Sequence, residues 1–157
     1  MTYAIAAAGT GGHVFPGLAV GEALVASGVA ADSILFVGGS RLESRVYPDA
    51  GFPFLEADIQ GLQRRMTTAN LKIPGLVARA ARRIGAEFRS RQVTVVLGMG
   101  GYVSVPAGFA ARRSRAVLMI HEQNAEAGLA NRIMSRWARR AFGSFPKTGR
   151  LPEAEWV

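Results

Sequence analysis

YAIAAAGTGGH, residues 3–13, decides how the rest of the chain reads. Six apolar residues run without alternation, which marks a strand covered on both faces rather than one wet on one side. Glycines then turn the chain. Pro16 opens a helical stretch that reaches residue 27, and Gly28 stops it. Strand, glycine turn and helix in that order form the first unit of a parallel α/β sheet.

The unit recurs outward from there. Residues 34–37 are a second continuous apolar strand ending in Gly38-Gly39, followed by a short helix over 41–50 stopped by Gly51. Residues 54–57 read as a weak third strand and 60–70 as a polar, basic loop. A long helix runs from residue 71 to about 91, with Pro74 near its start. Residues 93–97 form a β-branched strand ending in GMGGY (98–102), and a helix follows over 104–113 with Pro106 in its first turn. Residues 116–120 form a strand ending in HEQN (121–124). A helix over 127–137 and a short strand over 140–145 follow. Residues 146–157 show no periodicity and read as a connection. Strands alternating with helices mean right-handed parallel crossovers. The expected fold is therefore a doubly wound, Rossmann-like α/β sheet in the order 3-2-1-4-5-6.

Composition sets the limits. The 157 residues suit one domain, and 49% hydrophobic with 19% charged residues is a folded composition. No run reaches the roughly 18 apolar residues of a membrane span. No basic residue precedes the first apolar run, so the N-terminus does not read as a signal peptide. Without cysteine, disulfide frameworks, cysteine zinc sites and thiol nucleophiles are excluded. The formal charge is +8 and unevenly spread: residues 1–60 hold two basic and six acidic residues, residues 61–157 seventeen basic and five acidic. Such a split points to an anionic partner or to a solvated basic surface.

Three segments follow strands and carry unusual chemistry: GTGGH (9–13), GMGGY (98–102) and HEQN (121–124). In this strand order the first two flank one crevice beyond the carboxyl ends of the strands. Glycines let backbone N–H groups approach a ligand and adopt positive φ, and the following helix N-termini favour an anion such as a pyrophosphate. Val14 stands where a dinucleotide fingerprint needs glycine, strand two ends in glycines rather than an acid, and no P-loop is present. His13 can touch a phosphate or take a proton. His121 and Glu122 read either as a general-base pair or as polar ties from the loop to the next helix. Two histidines without a third ligand give no metal site. Along the long helix Ile73, Leu76, Val77, Ala80, Ile84 and Phe88 share one face, and Lys72, Arg79, Arg82, Arg83 and Arg89 the other. This is a helix packed on the sheet with a basic back, or a membrane-surface helix whose Leu71, Ile73 and Leu76 dip into lipid.

Taken together, AGTGGHVFPGLAVGEAL (8–24), LESRVYPDAGFPF (42–54), VVLGMGGYVSVPAGFAAR (95–112), IHEQNAEAGLANR (120–132) and SFP (144–146) resemble the N-terminal domain of the MurG family of N-acetylglucosaminyltransferases of peptidoglycan synthesis. The resemblance runs in order across nearly the whole chain. It implies the acceptor-binding half, residues 1–157, of a two-domain GT-B enzyme that moves GlcNAc from UDP-GlcNAc to lipid I (undecaprenyl-pyrophosphoryl-MurNAc-pentapeptide). It further implies inversion at the anomeric carbon, no cofactor or essential metal, and a peripheral place on anionic lipid at the cytoplasmic membrane face. Carried over by position, Thr10, Gly11, Gly12 and Asn124 would contact the donor. Gly100, Gly101, Tyr102, Glu122, Gln123 and Asn131 would line the acceptor diphosphate cleft. His13 would be the base or a diphosphate contact. Leu71, Lys72, Ile73, Leu76, Arg79, Arg82 and Arg83 would form the membrane patch. The chain departs from the family pattern at Ala8, at Val105 and in a shorter loop before Leu42. The donor-binding domain is missing, so the chain alone is expected to be inactive. The competing reading is a non-catalytic membrane-docking subunit that recruits a separate catalytic chain. Nucleic-acid binding has only the charge in its favour, with no basic-aromatic motif beside it.

Overall fold

The computed structural model describes residues 1–57, 73–151 and 153–157. The loop expected over 60–70, together with Leu71 and Lys72, lies outside the described residues, as does the Ile73 side chain. Among the described residues a seven-stranded sheet runs β3-β2-β1-β4-β5-β6-β7, with every pairing parallel. In chain order the elements are β1 (Thr2–Ala6), α1 (Gly11–Ala26), β2 (Ile34–Gly38), α2 (Glu43–Asp49), β3 (Phe54–Glu56), α3 (Ile73–Ser90), β4 (Val93–Gly98), α4 (Ser104–Ser114), β5 (Val117–Glu122), α5 (Leu129–Met134), β6 (Arg140–Gly143) and β7 (Glu155–Trp156). The doubly wound order read from the sequence holds over its first six strands.

Unbroken apolar runs become strands here because both faces of the sheet are covered. Ile5, Ala7, Ile34 and Phe36 point to one side, where Val14 of α1, Tyr47 of α2 and Phe52 close over them. Ala4, Ala6, Leu35 and Val37 alternate to the other side and join Ile84 and Phe88 of α3 and Ala107, Ala110 and Ala111 of α4. Phe36 stacks on Tyr47 at 4.0 Å between ring centroids. Small residues let the helices come close. A Cβ on Gly85 of α3 would lie 3.7 Å from the Ala110 Cβ of α4.

Four boundaries differ from the sequence reading. α1 begins at Gly11, not Pro16, because Thr10 is extended and its carbonyl accepts from both His13 N and Val14 N, at 3.0 and 3.1 Å. Pro16 therefore sits inside the helix and leaves the Gly12 carbonyl without its usual amide donor. β5 continues through His121 and Glu122, which pair with Phe142 and Gly143 of β6. α5 is shorter than 127–137 because the Ala127 amide is spent on the Gly149 carbonyl at 2.9 Å. The stretch read as a connection adds β7, a strand of two residues that pairs Glu155 with Phe142 and Trp156 with Gly143.

Candidate functional site

The carboxyl ends of β1, β4 and β5 bring the three unusual segments together. The chain leaves β1 through Gly9, at φ +103°, and leaves β4 through Gly100 and Gly101, at φ +88° and +78°. These two turns pack directly on each other. A Cβ on Gly101 would stand 2.3 Å from the Ala8 carbonyl oxygen. One on Gly100 would stand 2.9 Å from His13 Cδ2 and 3.6 Å from Asn131 Nδ2. Glycine at 100 and 101 is thus required both by backbone conformation and by the close approach of the neighbouring loop. Gly11 and Gly12 differ. They lie in the first turn of α1 with helical backbone, where N–H groups have no intrahelical acceptor and can meet an anion. The positive φ that the glycine turns called for therefore falls at positions 9, 100 and 101, not at 11 and 12.

His13 occupies the centre of this arrangement. Its Nδ1 is 3.0 Å from Thr10 Oγ1. Thr10 takes the N-cap position of α1, but its side chain makes no capping bond to the helix, being directed to the imidazole instead. In the tautomer whose Nδ1–H donates to Thr10, Nε2 keeps its lone pair beside Gly100. Burial lowers the His13 pKa below its ordinary value, and the negative charge of Glu122 offsets part of that. The ring is accordingly neutral near pH 7, able to accept a proton or a hydrogen bond.

Glu122 is almost fully buried and organises the third segment. Oε1 accepts from Asn124 N at 3.0 Å and Asn124 Nδ2 at 2.7 Å. Oε2 accepts from Gly128 N at 2.9 Å and Asn131 Nδ2 at 2.9 Å. The hydrogen bonds of this carboxylate are therefore those of a loop tie. His121 turns elsewhere, with its Nε2 3.4 Å from Ser144 Oγ, and burial lowers its pKa against the opposing charge of Glu122. Among the described residues, Gln123 Oε1 and Nε2, His121 Nδ1 and Asn131 Oδ1 are buried without a hydrogen-bond partner.

Ser104, which the sequence reading passed over, supports the same place from below. Its buried hydroxyl lies 2.9 Å from the Ala6 carbonyl oxygen and 2.5 Å from that of Gly100, tying β1 to the turn after β4. Glu43, also passed over, reaches Tyr102 from the first turn of α2. A serine opening a helix and an acid four residues after a glycine pair were the available signals. The basic face of α3 belongs to another part of the molecule. Arg79, Arg82, Arg83 and Arg89 are exposed there, Leu76 is half-buried, and Ala80, Ala81, Ile84 and Phe88 are spent on the core. No described helix is long and apolar enough to cross a membrane. Among the described residues no group of three His, Asp or Glu side chains could hold a metal ion.

Comparison with known proteins places the fold in a family. Residues 3–143 match the model of the glycosyltransferase family 28 N-terminal domain. A relative from Acidithiobacillus ferrooxidans is 48% identical over 98% of this chain and 42% of its own length. One from Acidovorax sp. is 42% identical over 99% of this chain and 38% of its own. Both are named UDP-N-acetylglucosamine–N-acetylmuramyl-(pentapeptide) pyrophosphoryl-undecaprenol N-acetylglucosamine transferase. The chain thus spans about two fifths of the length of these curated relatives. The crystal structure of Acinetobacter baumannii MurG superposes with a TM-score of 0.79 at 33% identity, over 94% of this chain and 42% of that one. A structure titled as a UDP-N-acetylglucosamine 2-epimerase of Listeria monocytogenes, at 12% identity and a TM-score of 0.66, shares the fold alone.

Proposed function

From the premise that this chain belongs to the glycosyltransferase family 28 N-terminal domains, we propose that it is the acceptor-binding half of an inverting transferase moving GlcNAc from UDP-GlcNAc to lipid I. The observation that carries the reading is the packing of His13 against Gly100, with Asn131 also beside that glycine. That packing brings a proton acceptor, two glycine turns and a polar loop to one place. In the reaction the C4 hydroxyl oxygen of the acceptor sugar attacks the anomeric carbon of GlcNAc. The bond from that carbon to the β-phosphate oxygen breaks, UDP leaves, and the hydroxyl proton passes to His13 Nε2. Thr10 holds the imidazole by Nδ1, as a base needs to be oriented. The first-turn N–H groups of Gly11 and Gly12, with Asn124, serve the donor side. Gly100, Gly101, Tyr102, Gln123 and Asn131 face the acceptor diphosphate, and Glu122 shapes the loop that presents two of them. A second Rossmann-like domain supplies most of the donor site. The basic face of α3 associates with anionic lipid at the cytoplasmic side of the membrane, where lipid I is presented.

The test joins this chain to the C-terminal part of the Acidithiobacillus ferrooxidans relative. The chimera should transfer GlcNAc to a soluble lipid I analogue, and the 157-residue chain alone should not. His13→Ala in the chimera should lower kcat by about 10²–10⁴ with little change in melting temperature. A loss confined to KM would reassign His13 to diphosphate contact. Turnover by the chain alone would overturn the two-half reading.

A further inference from the structure

The glycine pair at the end of β2 has a spatial cause. Neither Gly38 nor Gly39 has positive φ, yet neither has room for a side chain. A Cβ on Gly38 would lie 2.6 Å from Glu43 Cγ, and one on Gly39 1.9 Å from the Tyr102 hydroxyl oxygen. Tyr102 also covers the first glycine turn, since a Cβ on Gly9 would lie 3.5 Å from its ring. The space is kept for Glu43, which is fully buried. Its Oε1 accepts from Gly39 N–H at 3.0 Å and from the Tyr102 hydroxyl at 3.4 Å, across 59 residues of sequence. Its Oε2 has no hydrogen-bond partner among the described residues. A carboxylate buried with one oxygen unmatched is costly, and an apolar side chain would pack the same volume more cheaply. A charge retained under such conditions has work at the other end of its hydrogen bonds.

We propose that Glu43 is a positioning residue of the cleft: it clamps the Tyr102 hydroxyl between the loops after β2 and β4 and so sets the Gly100–Gly101 turn against His13. The role in ligand binding rests on the reading of the cleft given above; the clamp itself does not. The charges facing the phenol agree with the geometry. Burial and Glu43 raise the Tyr102 pKa above its ordinary value, Glu56 adds to this, and Arg41 opposes it.

The purified chain is labelled with ring-¹³C tyrosine, and the Tyr102 resonance is assigned by its loss in Tyr102→Phe. Its titration is followed in the wild type, in Glu43→Gln, which removes the carboxylate at nearly constant shape, and in Gly39→Ala, which keeps the carboxylate but drives the phenol from it, the new Cβ falling 1.9 Å from the phenol oxygen and 3.0 Å from Glu43 Oε1. Tyr102 should titrate above the ordinary tyrosine value of 10.0 in the wild type and move down toward it in both variants. The same proteins are titrated with inorganic pyrophosphate. Glu43→Gln should weaken binding by about tenfold, the scale of one hydrogen bond, and should add nothing in the Tyr102→Phe background. An unmoved Tyr102 titration overturns the proposal. So does an equal loss of pyrophosphate affinity with and without the phenol, the mark of a merely structural carboxylate. If Glu43→Gln fails to fold, Gly39→Ala decides through the same resonance. If the wild type does not bind pyrophosphate, the reading of the cleft falls, and the Tyr102 titration alone decides the clamp.

Discussion

Glu122 is held by four donors: two amide N–H groups and the side chains of Asn124 and Asn131. A glutamine there has the same shape but accepts through one oxygen only, and it turns an NH₂ group toward donors. Glu122→Gln should therefore destabilise the fold by about 2–4 kcal/mol in urea unfolding, whereas a residue serving only a ligand would leave stability unchanged. The glycines divide in the same way. Gly101 is fixed by positive φ and by the Ala8 carbonyl, but the nearest atom to a Cβ on Gly12 is Thr10 Oγ1 at 3.7 Å, ordinary contact. Gly12→Ala should thus stabilise α1 by up to about 1 kcal/mol while weakening pyrophosphate binding, because the methyl group stands where a ligand approaches the first-turn amides. Loss of stability together with unchanged binding would remove Gly12 from the site.

α3 carries the one surface whose role the fold leaves to experiment. Its apolar side is committed to α4 and the sheet through Ala80, Ile84 and Phe88, so on this helix the proposed lipid contact falls to the exposed arginines. Reversing Arg82, Arg83 and Arg89 to glutamate should leave the melting temperature within a degree or two and should abolish salt-sensitive co-sedimentation with anionic vesicles. Equal sedimentation of variant and wild type would mark a solvated face. This helix was legible in the sequence because its apolar positions recur at helical spacing over about four turns. β1 and β2 were legible because burial on both faces leaves unbroken apolar runs, and β4 because its residues are mostly β-branched although Thr94 is exposed. The start of α1 was not, since Pro16 imitates a first-turn proline while the true cap, Thr10, turns its hydroxyl to His13. β7 was not, because two residues carry no period and the strand exists only by pairing with β6. At the site, GTGGH and GMGGY were legible as turns after strands, whereas HEQN, read as following its strand, begins inside β5 with His121 and Glu122. The Glu43–Tyr102 contact was not, because it joins residues 59 apart that no local pattern relates.

Across the whole molecule the cleft makes stability depend on pH. His13 and His121 both have pKa values lowered by burial in the folded chain, with Glu122 opposing the shift in each case. Above the ordinary histidine value of 6.5 both rings are neutral whether the chain is folded or not, and they add no pH dependence. As pH falls below 6.5 the unfolded chain binds protons at both positions while the folded chain resists, so the unfolded state gains and stability falls. The loss continues until the pH passes the folded-state values and then levels off. Both rings are part-exposed and solvent screens them, so the proton uptake linked to unfolding should lie between zero and two. The +8 formal charge adds self-repulsion that grows in acid, but that component is screened by salt and the burial component much less so. Urea unfolding at pH 7.5, 6.5 and 5.5, in low and high salt, should show a falling midpoint below pH 6.5 that survives in high salt. Its slope should shrink in His13→Gln and again in His13→Gln combined with His121→Gln. A pH dependence that vanishes in high salt, or one indifferent to both substitutions, would show that net charge governs the acid response and that the histidines of the cleft are not held neutral by the fold.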